Sequence, residues 1–395
     1  MFADLSAHLP PGLTAAAVAV GDAGFLAVGD RTRLLRWRAG RLADVPLPPA
    51  SHPGTLAVTA ADADGDGTDE WFLSGPTGRL LKLTPAGWSD RLPRPLAGTA
   101  VAALDRRGTG RHAFAVAGDR LRLIELDAAG WPHDAAPALG LDAPSVGVWA
   151  GPLLADRPDL LVLGDGPNRL YRPDGDTPAG LAEPRERSVA AAAWDADGRP
   201  GLCLVNAGGP TRLFGRTLDG GFRDLASPAL ALPGAAAAVV ADFDNCGHEE
   251  LVLFCPDEPC RLFRHTPDGW RLAPAGLPPA AGGCVADLDG DGTLELLLTG
   301  DPAGLFNMPN ANGWLRVRPL TRFGAAARGA VVRLTAGGRT QVRGIDGGPH
   351  EAVAHFGLGQ WDRVDAVTVG WPDGARRTVL APAIRQSLDV PHPDG

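Results

Sequence analysis

A two-residue phrase, Arg-Leu, returns along the chain at a nearly fixed interval, and this limits the folds open to it. It stands at Arg33-Leu34, Arg79-Leu80, Arg120-Leu121, Arg169-Leu170, Arg212-Leu213 and Arg261-Leu262, with a degenerate copy at Gly304-Leu305. Successive gaps are 46, 41, 49, 43, 49 and 43 residues. An apolar run precedes each copy, as at 25–28, 71–73, 160–163 and 251–254, and a run of small apolar residues lies ahead of that, as at 57–60, 101–103 and 236–240. A glycine-aromatic turn follows at Gly87-Trp88, Gly130-Trp131, Gly221-Phe222, Gly269-Trp270 and Gly313-Trp314. Each unit therefore reads as four short strands joined by a polar loop and glycine turns, and seven units of this period match the blades of a propeller. Alanine and glycine in the first strand suit the innermost position, where blades converge. The runs lack 3.6-residue spacing, which excludes a helical solenoid. The expectation is an all-β chain with a seven-bladed β-propeller over residues 1–312, each recurrent aromatic capping its own blade.

Between the first two strands of a unit sits an acidic loop. In the second unit its polar positions are Asp62, Asp64, Asp66, Thr68 and Glu70; in the seventh they are Asp287, Asp289, Asp291, Thr293 and Glu295. Carboxylates fall at positions 1, 3, 5 and 9, glycine at position 6 allows a sharp turn, and the carbonyl at position 7 adds a ligand. Such a loop wraps a hard cation that takes six to eight oxygens, which favours calcium over magnesium. The sixth unit keeps Asp242, Asp244 and Glu250 but has Cys246 at position 5, and a thiol is a poor calcium ligand. The fifth keeps Asp195 and Asp197, the third Asp105, the fourth Asp159, and the first has lost the loop. The expectation is two or three Ca2+ ions, structural rather than catalytic, because the ligand set looks complete.

Charge is unevenly spread. Residues 313–395 carry 11 Arg against 7 Asp and Glu, a net of +4, which leaves −13 for the rest of a chain whose total is −9. An acidic body argues against nucleic-acid binding, which needs clustered Lys and Arg. The tail is suited to dock on the acidic propeller. Its alternating short runs, at 315–320, 330–335, 340–345, 364–371 and 376–380, read as a small β-sandwich over residues 313–392. No stretch is long and apolar enough to span a membrane. Lysine occurs once, at Lys82, and the Arg-for-Lys bias carries no functional weight. Five cysteines form no CxxC pair, so zinc is not expected; Cys255 and Cys260 read as free thiols, with a disulfide open if the chain is exported.

The acidic loops, the phrase Gly166-Pro167-Asn168-Arg169-Leu170-Tyr171-Arg172 and the tail stretches Asn312-Gly313-Trp314, His355-Phe356-Gly357-Leu358-Gly359 and Val369-Gly370-Trp371-Pro372-Asp373-Gly374 resemble the FG-GAP/VCBS-like repeats and ASPIC/UnbV domain of the cartilage acidic protein family. The resemblance covers nearly the whole chain. It implies a calcium-binding propeller with a C-terminal β-domain; many members are secreted or adhesive, and bacterial ones occur in natural-product pathways, including enediyne clusters. The stretch around Ile345–His350 is shorter here than in relatives.

No GxSxG, P-loop or HExxH pattern is present. His350, Glu351 and His355 lie close in sequence but fall in strand-rich surroundings, and no catalytic residue is assigned. The reading is a non-catalytic, monomeric binding scaffold that takes a protein or small ligand on the propeller's axial face. Two alternatives stay open: a biosynthetic enzyme or accessory protein acting on an apolar metabolite, and a secreted adhesive protein. The N-terminal residues show no signal peptide, which points to the cytoplasm, with an extracellular location as the alternative if a leader has been removed.

Overall fold

The computed structural model describes the chain except residues 49, 128, 156, 173–180, 182–185 and 197 and the side chains of 155, 196 and 199. Seven antiparallel sheets follow one another among these residues. Their first strands are Ala17–Gly21, Ala57–Ala61, Ala100–Leu104, Gly147–Ala155, Ser188–Ala196, Ala237–Ala241 and Gly283–Ala286. Each touches the next, and the last returns to the first, so the ring is closed with the small-residue strands at its hub. Blades 1–3, 5 and 6 have four strands in sequence order, and blade 4 has three among the described residues. The fold expected from the repeat is the one observed.

Two-residue alternation makes the ring stick together, because each strand sends successive side chains to opposite neighbours. In Glu70–Ser74, Trp71 and Leu73 join Leu26 and Val28 of blade 1, whereas Phe72 joins Phe114 and Val116 of blade 3. Trp71, Phe72 and Phe114 are fully buried. Each such side chain contributes about 2–3 kcal/mol of burial free energy.

Three expectations are corrected. The outer strand of blade 7 is Ala3–Asp4, from the start of the chain, which pairs with Gly304–Asn307. The segment at Gly313-Trp314 instead opens the tail, and Trp314 packs over Gly292 of the blade-7 loop. In blade 3 the register places Arg122-Leu123, and not Arg120-Leu121, opposite Val116 and Ala115. Trp131 is 67% exposed and caps nothing, unlike Trp270 and Phe222, because its strand, Pro132–Asp134, begins one residue after it.

The tail is a sandwich of two sheets. One runs Ala354–Gly359, Gly313–Pro319, Ser387–Val390; the other runs Arg339–Gly344, Val331–Ala336, Ala366–Gly370, Arg376–Leu380. Leu315, Val317, Val332, Leu334, Phe356 and Val367 fill the space between them. All five cysteines are free thiols, Cys255 and Cys260 included. No helix among the described residues is long and apolar enough to cross a membrane.

Candidate functional site

The acidic loops share one local design. The position-1 carboxylate turns back to cap its own loop: Asp62 accepts from the N–H groups of Gly65 and Gly67 at 2.7 and 3.0 Å, and Asp287 from those of Gly290 and Gly292 at 2.8 and 3.0 Å. Asp242 does the same for Cys246 and Gly247. The position-9 glutamate starts the second strand and reaches across the loop mouth. Glu70, Glu250 and Glu295 each accept from the N–H of position 2 at 2.8–2.9 Å. Glycine at position 6 has a positive φ in all three loops (Gly67 +88°, Gly247 +90°, Gly292 +84°), a conformation that residues with a Cβ rarely adopt. Carboxylates at positions 1, 3 and 5 come within 4.8 Å of one another in blades 2 and 7, and in blade 6 Cys246 supplies the third atom. Thr68 is exposed and its hydroxyl donates to Asp66, while Thr293 is buried.

What faces these carboxylates differs sharply. In blade 2 the single lysine of the chain reaches into the ring. Lys82 Nζ lies 2.8 Å from Asp64, 2.7 Å from Asp66 and 2.5 Å from Glu70. Burial opposes its charge, but the hydrogen bonds it donates to the three carboxylates outweigh that and hold its pKa above the ordinary lysine value. Asp66 answers by falling to about 2, its own burial being overcome by Lys82. In blade 6, Arg264 stands 3.0 Å from Asp244 and 3.8 Å from Glu250. In blade 7 the corresponding residue is Asn307, whose amide N lies 3.5 Å from Glu295 and whose buried oxygen has no hydrogen-bond partner.

The fit to calcium follows from those donors. Blade 7 offers four carboxylates and an orphaned amide oxygen, all hard ligands. Among the described residues no cationic side chain is paired with Asp289, Asp291 or Glu295, and only Asp287 meets one, Arg316 at 3.1 Å. Burial, reinforced by the neighbouring aspartates, pushes Glu295 up to about 8. Blade 2 has the carboxylates but already holds a cation. Blade 6 has a thiol and a guanidinium, which suit calcium poorly. Asp105 of blade 3 caps its own loop, Asp195 accepts from Val342 N in the tail, and Asp197 lies outside the described residues. Lys82, Arg264 and Asn307 were not singled out from the sequence. The signal was there: each falls three residues after the start of its Arg-Leu or Gly-Leu phrase.

A second feature lies at the hub. The tail's segment 346–351 enters one mouth of the ring and pairs with the inner strands. Gly347 N–H donates to Ala150 O at 2.8 Å and Gly347 O accepts from Ala103 N–H at 2.9 Å; Val20 N–H donates to Pro349 O at 2.9 Å, and Glu351 N–H to Val285 O at 3.1 Å. The Thr59 hydroxyl donates to the carbonyls of Gly347 and Gly348. Buried Arg328 ties Ala60 O to the carbonyls of Asp346 and His350. The basic tail also meets acidic propeller side chains, with Arg343 3.2 Å from Glu249 and Arg316 bridging Asp287 and Glu351. The axial mouth expected to be open to a ligand is thus plugged over blades 1–4 and 7. His350, Glu351 and His355 are all spent on this docking: His350 accepts from Val285 N–H, Glu351 pairs with Arg316, and His355 bonds Asn245 at 2.6 Å.

Blades 5 and 6 escape the plug. Between them and the tail lies a cavity of about 340 Å³, bordered by Trp149, Trp194, Val240, Val285, Val342 and Ile345. Its charged wall residues are largely paired with one another, as Arg343 is with Glu249 and Arg316 with Glu351.

Comparison with known proteins agrees with this architecture. Residues 321–395 match the ASPIC and UnbV family model. The chain is 36% identical to human cartilage acidic protein 1 over 293 residues, covering 62% of this chain and 44% of the relative. For the Xenopus tropicalis protein the figures are 36% over 273 residues, 58% and 42%. The chain therefore spans less than half the length of the curated relatives it matches. Among solved structures, the BBS1N chain of a complex with ARL6DN superposes with a TM-score of 0.51 at 10% identity, over 78% of this chain and 96% of that one, a likeness of fold alone. With more than a third of aligned residues shared over the matched stretch and residues 321–395 matched by their own family model, the chain is similar to cartilage acidic protein 1 and carries a C-terminal match to the ASPIC and UnbV family.

Proposed function

We infer that the protein is a non-catalytic binding scaffold that holds a small, uncharged and largely apolar molecule between propeller and tail. The observation that carries this is the cavity over blades 5 and 6. Its volume falls in the range of small-molecule sites. Two indoles and several valines line it, and the ion pairs Arg343–Glu249 and Arg316–Glu351 in its wall are closed within the protein, which favours an uncharged ligand. The test is titration with Nile red, a neutral fluorophore. Saturable one-to-one binding is expected in the wild type, with loss in Ala193→Trp, which fills the cavity from blade 5. Binding that survives this substitution overturns the assignment.

Calcium in this reading is structural and sits in the blade-7 loop, on Asp287, Asp289, Asp291 and Glu295. The ion neutralises a carboxylate cluster next to Trp314, the first large side chain of the tail, and so supports the junction between the two domains. At calcium 100-fold above its Kd the folded state gains about 2.7 kcal/mol. A chelator should lower the melting temperature, and Glu295→Gln should remove most of that response.

A further inference from the structure

We propose that one cross-strand position, the residue facing the loop's position-9 side chain, decides whether a blade takes calcium, and that Lys82 is a built-in cation standing where blade 7 leaves room for a metal. This rests on the reading of blade 7 as a calcium site. The register equates the positions without adjustment: Glu70 pairs with Lys82, Glu250 with Arg264, and Glu295 with Asn307. Two further blades fit the same rule. In blade 4, Asp159 holds the position-9 role, accepting from Leu153 and Leu154 N–H, and Arg172 lies 3.4 Å from it. In blade 3 the polarity is reversed. Glu125 stands in the Lys82 position, and Arg106 and Arg107 in the loop pair with it at 2.8 and 2.7 Å. Blade 5 carries no charge there: Gly201 pairs with Gly215, and the Trp194 ring fills the space a Cβ at Gly201 would need.

Among the described residues, blades 2, 3, 4 and 6 thus each set charges of opposite sign against one another across this position. The blade-2 loop keeps all four carboxylates, so its acidic pattern alone misleads. A divalent ion can enter it only by expelling an ammonium bonded to three carboxylates, since two cations cannot share one ring of ligands at hydrogen-bond distance. The neutral asparagine of blade 7 imposes no such barrier and adds an oxygen.

The experiment is calcium stoichiometry, by metal analysis and calorimetric titration, on the wild type, Lys82→Asn and Asn307→Lys. The expected counts are one, two and zero. Lys82→Asn should also acquire a new chelator-sensitive step in melting, so a variant stable only with calcium still reports. A wild type that binds two or more ions, or a Lys82→Asn that gains none, overturns the inference while leaving calcium binding itself intact. A wild type without calcium whose Lys82→Asn variant binds one ion supports the selector and refutes the blade-7 site. No calcium in any of the three refutes both. If Asn307→Lys still binds as the wild type does, the position is not the selector.

Discussion

Gly347→Ala should unseat the segment that plugs the hub and cost about 3–5 kcal/mol of stability, from orphaned buried hydrogen bonds and a steric clash. The added Cβ would lie 1.9 Å from Ala103 O and 2.6 Å from Ala103 N. Both are backbone atoms of an inner strand held on two sides, so neither can give way. Relief requires the loop to withdraw. That breaks the Gly347 bonds to Ala150 and Ala103 and strands the Thr59 hydroxyl in a buried site. Urea denaturation would read the loss as a lower midpoint, and limited proteolysis would show new cleavage within 343–351. Gly348→Ala is the control. Its Cβ would approach only side-chain atoms of Asp346 and His350, at 3.1 Å and beyond, so its cost should stay under about 1 kcal/mol. Equal effects at the two glycines would mean that the plug is not held by the close approach at Ala103.

Acid should loosen the same junction through His355. This imidazole is buried between blade 6 and the tail, and burial, with Arg316 and Arg343 nearby, pushes its pKa down to about 3. An unfolded histidine titrates near 6.5. Between those values the unfolded chain binds a proton that the folded chain refuses, so stability rises with pH across the window. The contribution is complete above pH 6.5 and is lost progressively as pH falls toward 3. Its size is on the order of 4 kcal/mol. His355→Gln, which keeps a donor for Asn245 and cannot ionise, should flatten the stability profile between pH 6.5 and 4. A profile as steep as that of the wild type would assign the acid sensitivity elsewhere. The opposite slope belongs to buried carboxylates. In calcium-free protein Glu295, raised to about 8, favours folding at low pH and withdraws that support as pH climbs from about 4.5. Calcium should abolish this alkaline decline and leave the acid limb untouched.

The ring was legible in the sequence because a propeller repeats its register. Arg79, Arg169, Arg212 and Arg261 start the third strand of their blades and Arg33 is the second residue of its own, and each pairs with a residue near the end of the apolar strand before it. Where the local turn shifts, as between Gly118 and Arg122, a motif match lands two residues early even though the hydrophobic pattern is right. The outer strand of blade 7 was invisible for a different reason. Ala3–Asp4 is two residues long and pairs with a strand some three hundred positions away, and no local pattern announces that. The acidic loops were equally plain, but their chemistry is set by a neighbour twelve or fourteen residues downstream. Lys82 becomes the partner of Glu70 only once the strand pairing is known, and a search confined to the loop sees four carboxylates and infers an ion. The cavity is harder still, because its walls come from blades 4–7 and from the tail, and neither unit alone encloses it.

The plug has a bearing on how such a chain is made. Synthesis runs from the N-terminus, so the inner strands of blades 1–4 emerge long before residues 346–351 that will occupy their free backbone groups. A nascent propeller must wait with a polar rim exposed at its centre, and exposed strand edges recruit other chains. Two stretches at opposite ends of the sequence therefore act late: Ala3–Asp4 locks the outside of the seventh blade once Gly304–Asn307 exists, and the tail then fills the middle. The ring matures from rim to hub, and a ribosome-bound chain halted before the tail should associate with holdase chaperones more strongly than one released whole.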